Sequence, residues 1–156
     1  MASLPLIIDL HSPDETAHLA RFIAAKLRPG DVILMEGGIG AGKTHFARSL
    51  IQFLLPEPED VPSPTFTLVQ VYDTGETEIW HADLYRLSGP DEAVELGLEE
   101  AFETAICLVE WPDRLAELAP ADALTLAFET TGDDTRRLRL NWSDGKWDEK
   151  LKGLAG

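Results

Sequence analysis

A three-layer α/β fold, with a mixed and mainly parallel central sheet flanked by helices, is what this sequence predicts, on two observations. The first is Gly37-Gly38-Ile39-Gly40-Ala41-Gly42-Lys43-Thr44, which fits the phosphate-binding loop pattern G-x-x-x-x-G-K-[ST] at every fixed position. The second is its frame. Val32-Ile33-Leu34-Met35 ahead of it is a short apolar run, the mark of a buried strand, and Phe46, Ala47, Leu50, Ile51, Leu54 and Leu55 behind it recur at helical spacing. A strand, a glycine-rich turn and a helix in that order form the central unit of P-loop folds.

The residue types in the loop follow from the chemistry. Glycines take the positive φ angles that turn successive backbone N–H groups toward one point, making an anion nest at a helix N-terminus. Gly37, Gly38, Ile39, Gly40, Ala41 and Gly42 would form that cradle, Lys43 would lie along the β- and γ-phosphates, and the Thr44 hydroxyl would ligate a Mg²⁺ bridging them. The expected ligand is a nucleoside triphosphate.

At 156 residues the chain is expected to be a single domain, residues 1–156. No stretch approaches a membrane span and no basic flank precedes an apolar block at the N-terminus, so the cytoplasm is the expected compartment. With 28 acidic against 13 basic residues the formal charge is −15. Affinity for a nucleic-acid backbone comes mainly from Lys and Arg, so direct nucleic-acid binding is not expected. From Glu57 to Glu129 there are eighteen acids against only Arg86 and Arg114, so any nucleic-acid role would run through a more basic partner. The lone Cys107 sits in an apolar run and reads as a packed thiol.

In chain order, Leu4 to Leu10 reads as an opening strand. Ser12-Pro13-Asp14-Glu15 carries an N-cap serine, proline at the first helical position and glutamate at N3, so a helix starts at Pro13. Leu19, Ala20, Ile23 and Leu27 give its apolar face, and Arg28-Pro29-Gly30 ends it. After the loop helix, prolines from Pro56 to Pro64 make a stiff acidic loop ending in Ser63-Pro64-Thr65. A hydroxyl there, Thr65, is where P-loop switches sense the γ-phosphate and its metal; the alternative is a plain Ser-Pro turn. Phe66 and Leu68 to Val71 read as a strand, Asp73-Thr74-Gly75 as a turn and Ile79 to Ala82 as its hairpin partner. Asp83 at that strand's end is placed for a metal-binding or water-orienting carboxylate, or for a simple cap.

Gly89-Pro90-Asp91-Glu92 starts a helix that Gly97 interrupts before Leu98 to Phe102. Ala105 to Val109 is the most apolar run remaining and ends in Glu110, the Walker B form in which a carboxylate holds Mg²⁺. Trp111-Pro112 breaks the chain, Asp113 to Leu118 is expected to be a short helix, and Ala123 to Glu129 and Arg137 to Trp142 read as strands around Gly132-Asp133-Asp134. The tail, residues 144–156, carries Trp147, Leu151 and Leu154 at helical spacing, as a docking helix or a frayed end. His11, His18, His45 and His81 do not fall at metal-ligand spacings.

Absences narrow the nucleotide. There is no Asn-Lys-x-Asp element and no Asp-x-x-Gly, which argues against a Ras-like GTPase and favours ATP. A small-molecule kinase is the main alternative, though the stretch between Arg48 and Arg136 offers only Arg86 and Arg114 to shield a transferring phosphoryl group. A nucleotide-dependent binding module is a third reading.

The ordered motifs Gly40-Ala41-Gly42-Lys43-Thr44, Ser63-Pro64-Thr65-Phe66-Thr67-Leu68-Val69, His81-Ala82-Asp83-Leu84-Tyr85-Arg86-Leu87, Glu95-Leu96-Gly97 and Leu108-Val109-Glu110-Trp111-Pro112 resemble those of the TsaE (YjeE) proteins over roughly Ser12 to Arg114. The resemblance implies an ATPase needed to make threonylcarbamoyladenosine at position 37 of tRNA, one that binds the TsaB-TsaD heterodimer and hydrolyses ATP so the assembly turns over. It also implies that Gly38 to Thr44 hold the phosphates and that Thr44 and Glu110 bind Mg²⁺. Thr65 would lie in a switch-like segment and Asp83 would serve the metal or the attacking water. The turn at Ser12 to Glu15 and the late hairpin near Arg136 would border the adenine. The sequence departs from the family in the acidic, proline-rich loop from Pro56 to Pro62.

Overall fold

The computed structural model describes residues 6–38, 41–57, 61, 69–87 and 89–154. Ile39, Gly40, the Ser63-Pro64-Thr65 segment and the start of the strand expected at Phe66 lie outside the described residues. The elements are β1 (Leu6–Leu10), α1 (Pro13–Ala24), β2 (Val32–Glu36), α2 (Lys43–Leu54), β3 (Val69–Asp73), β4 (Glu78–Asp83), α3 (Pro90–Glu95), α4 (Leu98–Thr104), β5 (Ile106–Glu110), a 3₁₀ segment (Pro112–Leu118), β6 (Leu124–Thr130), β7 (Arg136–Asn141) and α5 (Lys146–Lys150).

The strands form one sheet in the order β1-β7-β6-β2-β5-β4-β3. The central run β6, β2, β5 and β4 is parallel, and β7 and β3 pair antiparallel with β6 and β4. β1 pairs antiparallel with β7 and so points with the central four. The sheet is therefore mixed and mostly parallel, as the sequence predicts. Among the described residues no helix is long and apolar enough to cross a membrane.

Alternation along the central strands sends side chains into two separate cores. Ile33 and Met35 of β2 and Ile106 and Leu108 of β5 join Phe46, Leu50 and Ile51 of α2 and Leu19, Ala20 and Ile23 of α1. Val32 and Leu34, with Cys107 and Val109, face the other way onto Leu98, Ala101 and Leu115. A central strand buried on both faces reads as a continuous apolar run, which is what β2 and β5 show. Burial pushes the Cys107 thiol up to about 12.

Two local expectations are corrected. α1 stops at Ala24 rather than running to Arg28: the N–H groups of Lys26 and Leu27 reach back only three residues, to Ile23 and Ala24, and the Arg28 N–H donates to the Asp31 carboxylate at 2.8 Å. The short helix expected at Asp113 to Leu118 is a 3₁₀ segment interrupted at Ala116, whose φ of 50° is outside the helical region.

α5 is held by burial and charge. Trp147 is fully buried and its Nε1 donates to the Asp122 carbonyl at 2.7 Å. Asp31, also buried, accepts from Lys146 at 3.1 Å and Lys150 at 2.7 Å. Burial works against the Lys146 cation, but hydrogen bonds to Asp122 and Asp31 carry its pKa above the ordinary lysine value. Removing a buried tryptophan leaves a cavity as well as losing transfer energy, so Trp147→Ala is expected to lower the unfolding free energy by about 3–5 kcal/mol in urea denaturation. A loss under about 1 kcal/mol would mean that α5 lies outside the cooperative fold.

Candidate functional site

The site gathers where β2, β5 and β4 end side by side. β2 delivers the glycine loop, and Gly37 is a glycine for a definite reason. Its φ is +139°, and a Cβ there would stand 2.7 Å from the Phe128 carbonyl oxygen of β6. Gly42, at φ +109°, is the left-handed residue immediately before α2. Lys43 and Thr44 open that helix on the side facing β5.

Strand parity brings the acids to the same place. Glu110 shares the parity of Ile106 and Leu108, so it faces α2, and β4 pairs with β5 so that Asp83 lies opposite Glu110. Glu110 is 2 % exposed, and the Thr44 hydroxyl donates to its two oxygens at 3.1 and 3.3 Å. His81, two residues before Asp83 and on the same face, is fully buried with Nε2 2.7 Å from Glu110 Oε2.

Lys43 lies beside this cluster, buried. Its Nζ donates to the Gly37 carbonyl at 2.6 Å and stands 3.6 Å from the centre of the Trp111 ring, which packs at 4.9 Å against Tyr85. Trp111 reaches this position from a left-handed backbone, φ 61° and ψ 55°, a conformation costly for a bulky residue. Burial holds the Lys43 amine below the usual lysine range, with Glu110, then Asp83, then Asp113 pulling the other way. Burial likewise pushes the Asp83 carboxyl up; a hydrogen bond from the Tyr85 N–H at 3.1 Å opposes the shift and Glu110 adds to it.

Arg136 and Ser12 close the periphery. Arg136 Nε donates to the Ala41 carbonyl at 3.1 Å, and its Nη1 donates to Gly132, Asp133 and Thr135 carbonyls, clasping the β6–β7 turn to the loop. Ser12 caps α1 as read from the sequence, its Oγ accepting from the Glu15 N–H at 3.2 Å, but the reciprocal bond of a capping box is displaced: the Glu15 carboxylate accepts from the His11 N–H, one residue before the cap, at 2.9 Å. His45 of α2 meets the Pro13 carbonyl at 2.9 Å, which ties this turn to the first turn of the loop helix.

Among the described residues no group of three His, Cys, Asp or Glu side chains is arranged to hold a metal ion. Mg²⁺ ordinarily keeps most of its waters and takes one or two protein oxygens alongside phosphate. Thr44 and Glu110, already in contact, are such a pair of oxygen donors, so the residues present fit the ion. The spacing of the four histidines gave no hint of the His81–Glu110 contact or of Trp111 over Lys43. The parity of β4 and β5 in a parallel pair was the signal that could have found the first.

Burial of the Lys43 charge has a measurable consequence. The folded-state pKa is below the ordinary 10.5, so between the two values the unfolded chain binds the extra proton and stability rises with pH. The penalty is fully present at lower pH and relieved as pH climbs to the unfolded value. Urea midpoints of the wild type and Lys43→Met, compared from neutral pH upward, are expected to shift in favour of the wild type across that window; a constant difference would mean that the amine is not desolvated.

Comparison with known proteins follows from this geometry. Residues 10–138 match the family model described as threonylcarbamoyl adenosine biosynthesis protein TsaE. The chain is 40% identical over 127 residues, 81% of its length and 88% of the relative, to the tRNA threonylcarbamoyladenosine biosynthesis protein TsaE of Rickettsia bellii. To the protein of that name in Bacillus subtilis it is 39% identical over 145 residues, 92% of the chain and 90% of the relative. The crystal structure of Bacillus subtilis YdiB superposes with a TM-score of 0.81 at 30% identity, covering 99% of this chain and 96% of that one.

Proposed function

The chain belongs to the TsaE family of tRNA threonylcarbamoyladenosine biosynthesis proteins, and from that premise we propose that it binds and hydrolyses ATP with Mg²⁺ in the cytoplasm, serving formation of threonylcarbamoyladenosine at position 37 of tRNA through the TsaB-TsaD heterodimer. The observation that carries the ATP reading is the contact of Thr44 with Glu110 directly beneath a phosphate-binding loop whose lysine is buried beside them. Such a constellation suits a polyphosphate chelated by a divalent cation better than any neutral ligand.

The roles divide by position. Backbone N–H groups from Gly37 to Thr44 receive the phosphates, and Lys43 exchanges the Gly37 carbonyl and the Trp111 face for phosphate oxygens. Thr44 and Glu110 hold the cation. Mg²⁺ held there would supply charge neutralisation on the phosphate oxygens. Asp83 lies opposite Glu110 on the neighbouring strand with its carboxyl pushed up by burial, which suits it to orient the attacking water and take up its proton. Thr65 is assigned to γ-phosphate sensing on its sequence position alone. Ser12 and Arg136 are assigned to the adenine side: the turn that Ser12 opens meets the loop helix through the Pro13 carbonyl and His45, and Arg136 bonds the Ala41 carbonyl of the loop.

The charge of −15 supports action through a partner rather than direct contact with tRNA. For the small-molecule kinase alternative, arginines are needed around the phosphates, and among the described residues Arg114 bonds Asp113 and the Tyr85 carbonyl while Arg136 bonds backbone carbonyls.

Phosphate release by the isolated chain is expected to be slow and to accelerate when TsaB and TsaD are added; equal rates would count against partner activation. Lys43→Ala should weaken ATP binding at least about tenfold by calorimetry and abolish hydrolysis. Glu110→Gln should leave affinity within a few-fold while cutting turnover by about 100-fold or more, because shape is kept and a metal-directed charge is lost. An unaffected rate in Glu110→Gln would move the metal-binding role to Asp83.

A further inference from the structure

His81 is fully buried on β4, yet neither the loop motif nor the metal pair accounts for it. Its Nε2 meets Glu110 Oε2 at 2.7 Å, the shortest contact that Glu110 makes, while its Nδ1 is buried with no hydrogen-bond partner among the described residues. A carboxylate only accepts, so the ring's proton belongs on Nε2. The bare Nδ1 then leaves a lone pair unsatisfied instead of stranding an N–H donor, which folded proteins rarely do.

The consequence lies in which oxygen is free. Oε2 takes the short bond from His81 and the longer contact from Thr44, whereas Oε1, among the described residues, meets only the Thr44 hydroxyl, at 3.1 Å. A carboxylate pinned at one oxygen cannot rotate about its terminal bond, so the other is presented in a fixed direction. Partners of ligating groups that fix their orientation commonly control metal affinity as strongly as the ligands do.

We propose that His81 is a positioning residue for Glu110: its Nε2–H clamps Oε2, so that Oε1 stays directed toward Thr44 and the divalent cation of the nucleotide. The proposal rests on the ATP and Mg²⁺ reading above and assigns to the β4 histidine the task of aiming the acid. The register makes the clamp possible. With Asp83 opposite Glu110 and His81 opposite Leu108, the imidazole comes from two residues down the strand and approaches the carboxylate from inside the core, leaving its outer side to the loop.

The test compares His81→Leu, which removes the donor, with His81→Gln, whose amide places a donor near the same point. Mn²⁺ is titrated into each protein saturated with adenylyl imidodiphosphate and followed by electron paramagnetic resonance, beside calorimetry of the analogue and ATPase rates with Mg²⁺. His81→Leu should weaken Mn²⁺ binding and lower kcat by about 10–100-fold with analogue affinity changed little, and His81→Gln should restore both to within a few-fold of the wild type. Where Leu prevents folding, judged by circular dichroism, His81→Asn, whose amide stops short of Glu110, takes its place. Equal losses in the Gln and Leu or Asn variants, or unchanged Mn²⁺ affinity in the latter, would overturn the proposal. Nitrogen-15 NMR of the nucleotide-free wild type should show the proton on Nε2 of His81. A ring protonated on Nδ1 alone overturns the assignment whether or not nucleotide binds, whereas a wild type that takes up no analogue overturns the ATP reading.

Discussion

A carboxylate that is 2 % exposed at the end of an apolar strand governs what surrounds it. Glu110 can remain in the interior only if donors replace the water it has lost, because an ion in a medium of low polarity is disfavoured by far more than one hydrogen bond. Thr44 supplies one donor from α2 and His81 another from β4. The same two bonds link α2 and β4 to the end of β5. Lys43 adds a cation nearby, and its own burial, which lowers its pKa, takes it too out of water.

Topology makes that convergence cheap in backbone terms. β2, β5 and β4 are neighbours and parallel, so their C-terminal ends lie at one edge of the sheet, the usual location of ligands in open α/β sheets. Because the strands are in register, a two-residue period suffices to place His81, Asp83 and Glu110 on the face that α2 covers. The same period, offset by one, sends Val32, Leu34, Cys107 and Val109 to the opposite core. Function and packing thus divide the positions of β5 between them, with the acid falling where the apolar sequence stops.

How much of this was legible depended on whether a signal was local. The strand, loop and helix around Lys43 were readable because spacing and glycine content express them directly, and the cap at Ser12 and Glu15 was equally visible because its partners are three residues apart. Glu110 was readable as the acid closing an apolar run. His81 was not, since its partner is 29 positions away on another strand and a His–carboxylate pair has no characteristic spacing. Trp111 over Lys43 was hidden for a related reason: the ring depends on a left-handed backbone that favours glycine, so propensity points away from it. The early end of α1 and the seating of α5 share one unread cause, Asp31, which takes the Arg28 N–H on one side and two lysines more than a hundred residues later on the other. Periodicity reports which face a residue occupies and is silent about which distant charge it will meet.

The partners that Lys43 does have bear on the highly charged ligand proposed for this site. A backbone carbonyl and an aromatic face are weaker partners for an ammonium group than an anion, and the nearest buried acid, Glu110, is already shared by Thr44 and His81. The cation is therefore buried but only partly compensated, which is the physical meaning of its depressed pKa. A polyphosphate entering the loop, as proposed, would relieve that imbalance, and each negative charge brought to Lys43 would contribute more than at an exposed lysine. Yet the chain as a whole carries −15, and that field opposes the approach of a bare anion. The proposed nucleotide, arriving with a divalent cation, would reconcile the two requirements: its lowered net charge would tolerate the acidic surroundings, with Glu110 and Thr44 facing the cation and Lys43 the phosphates.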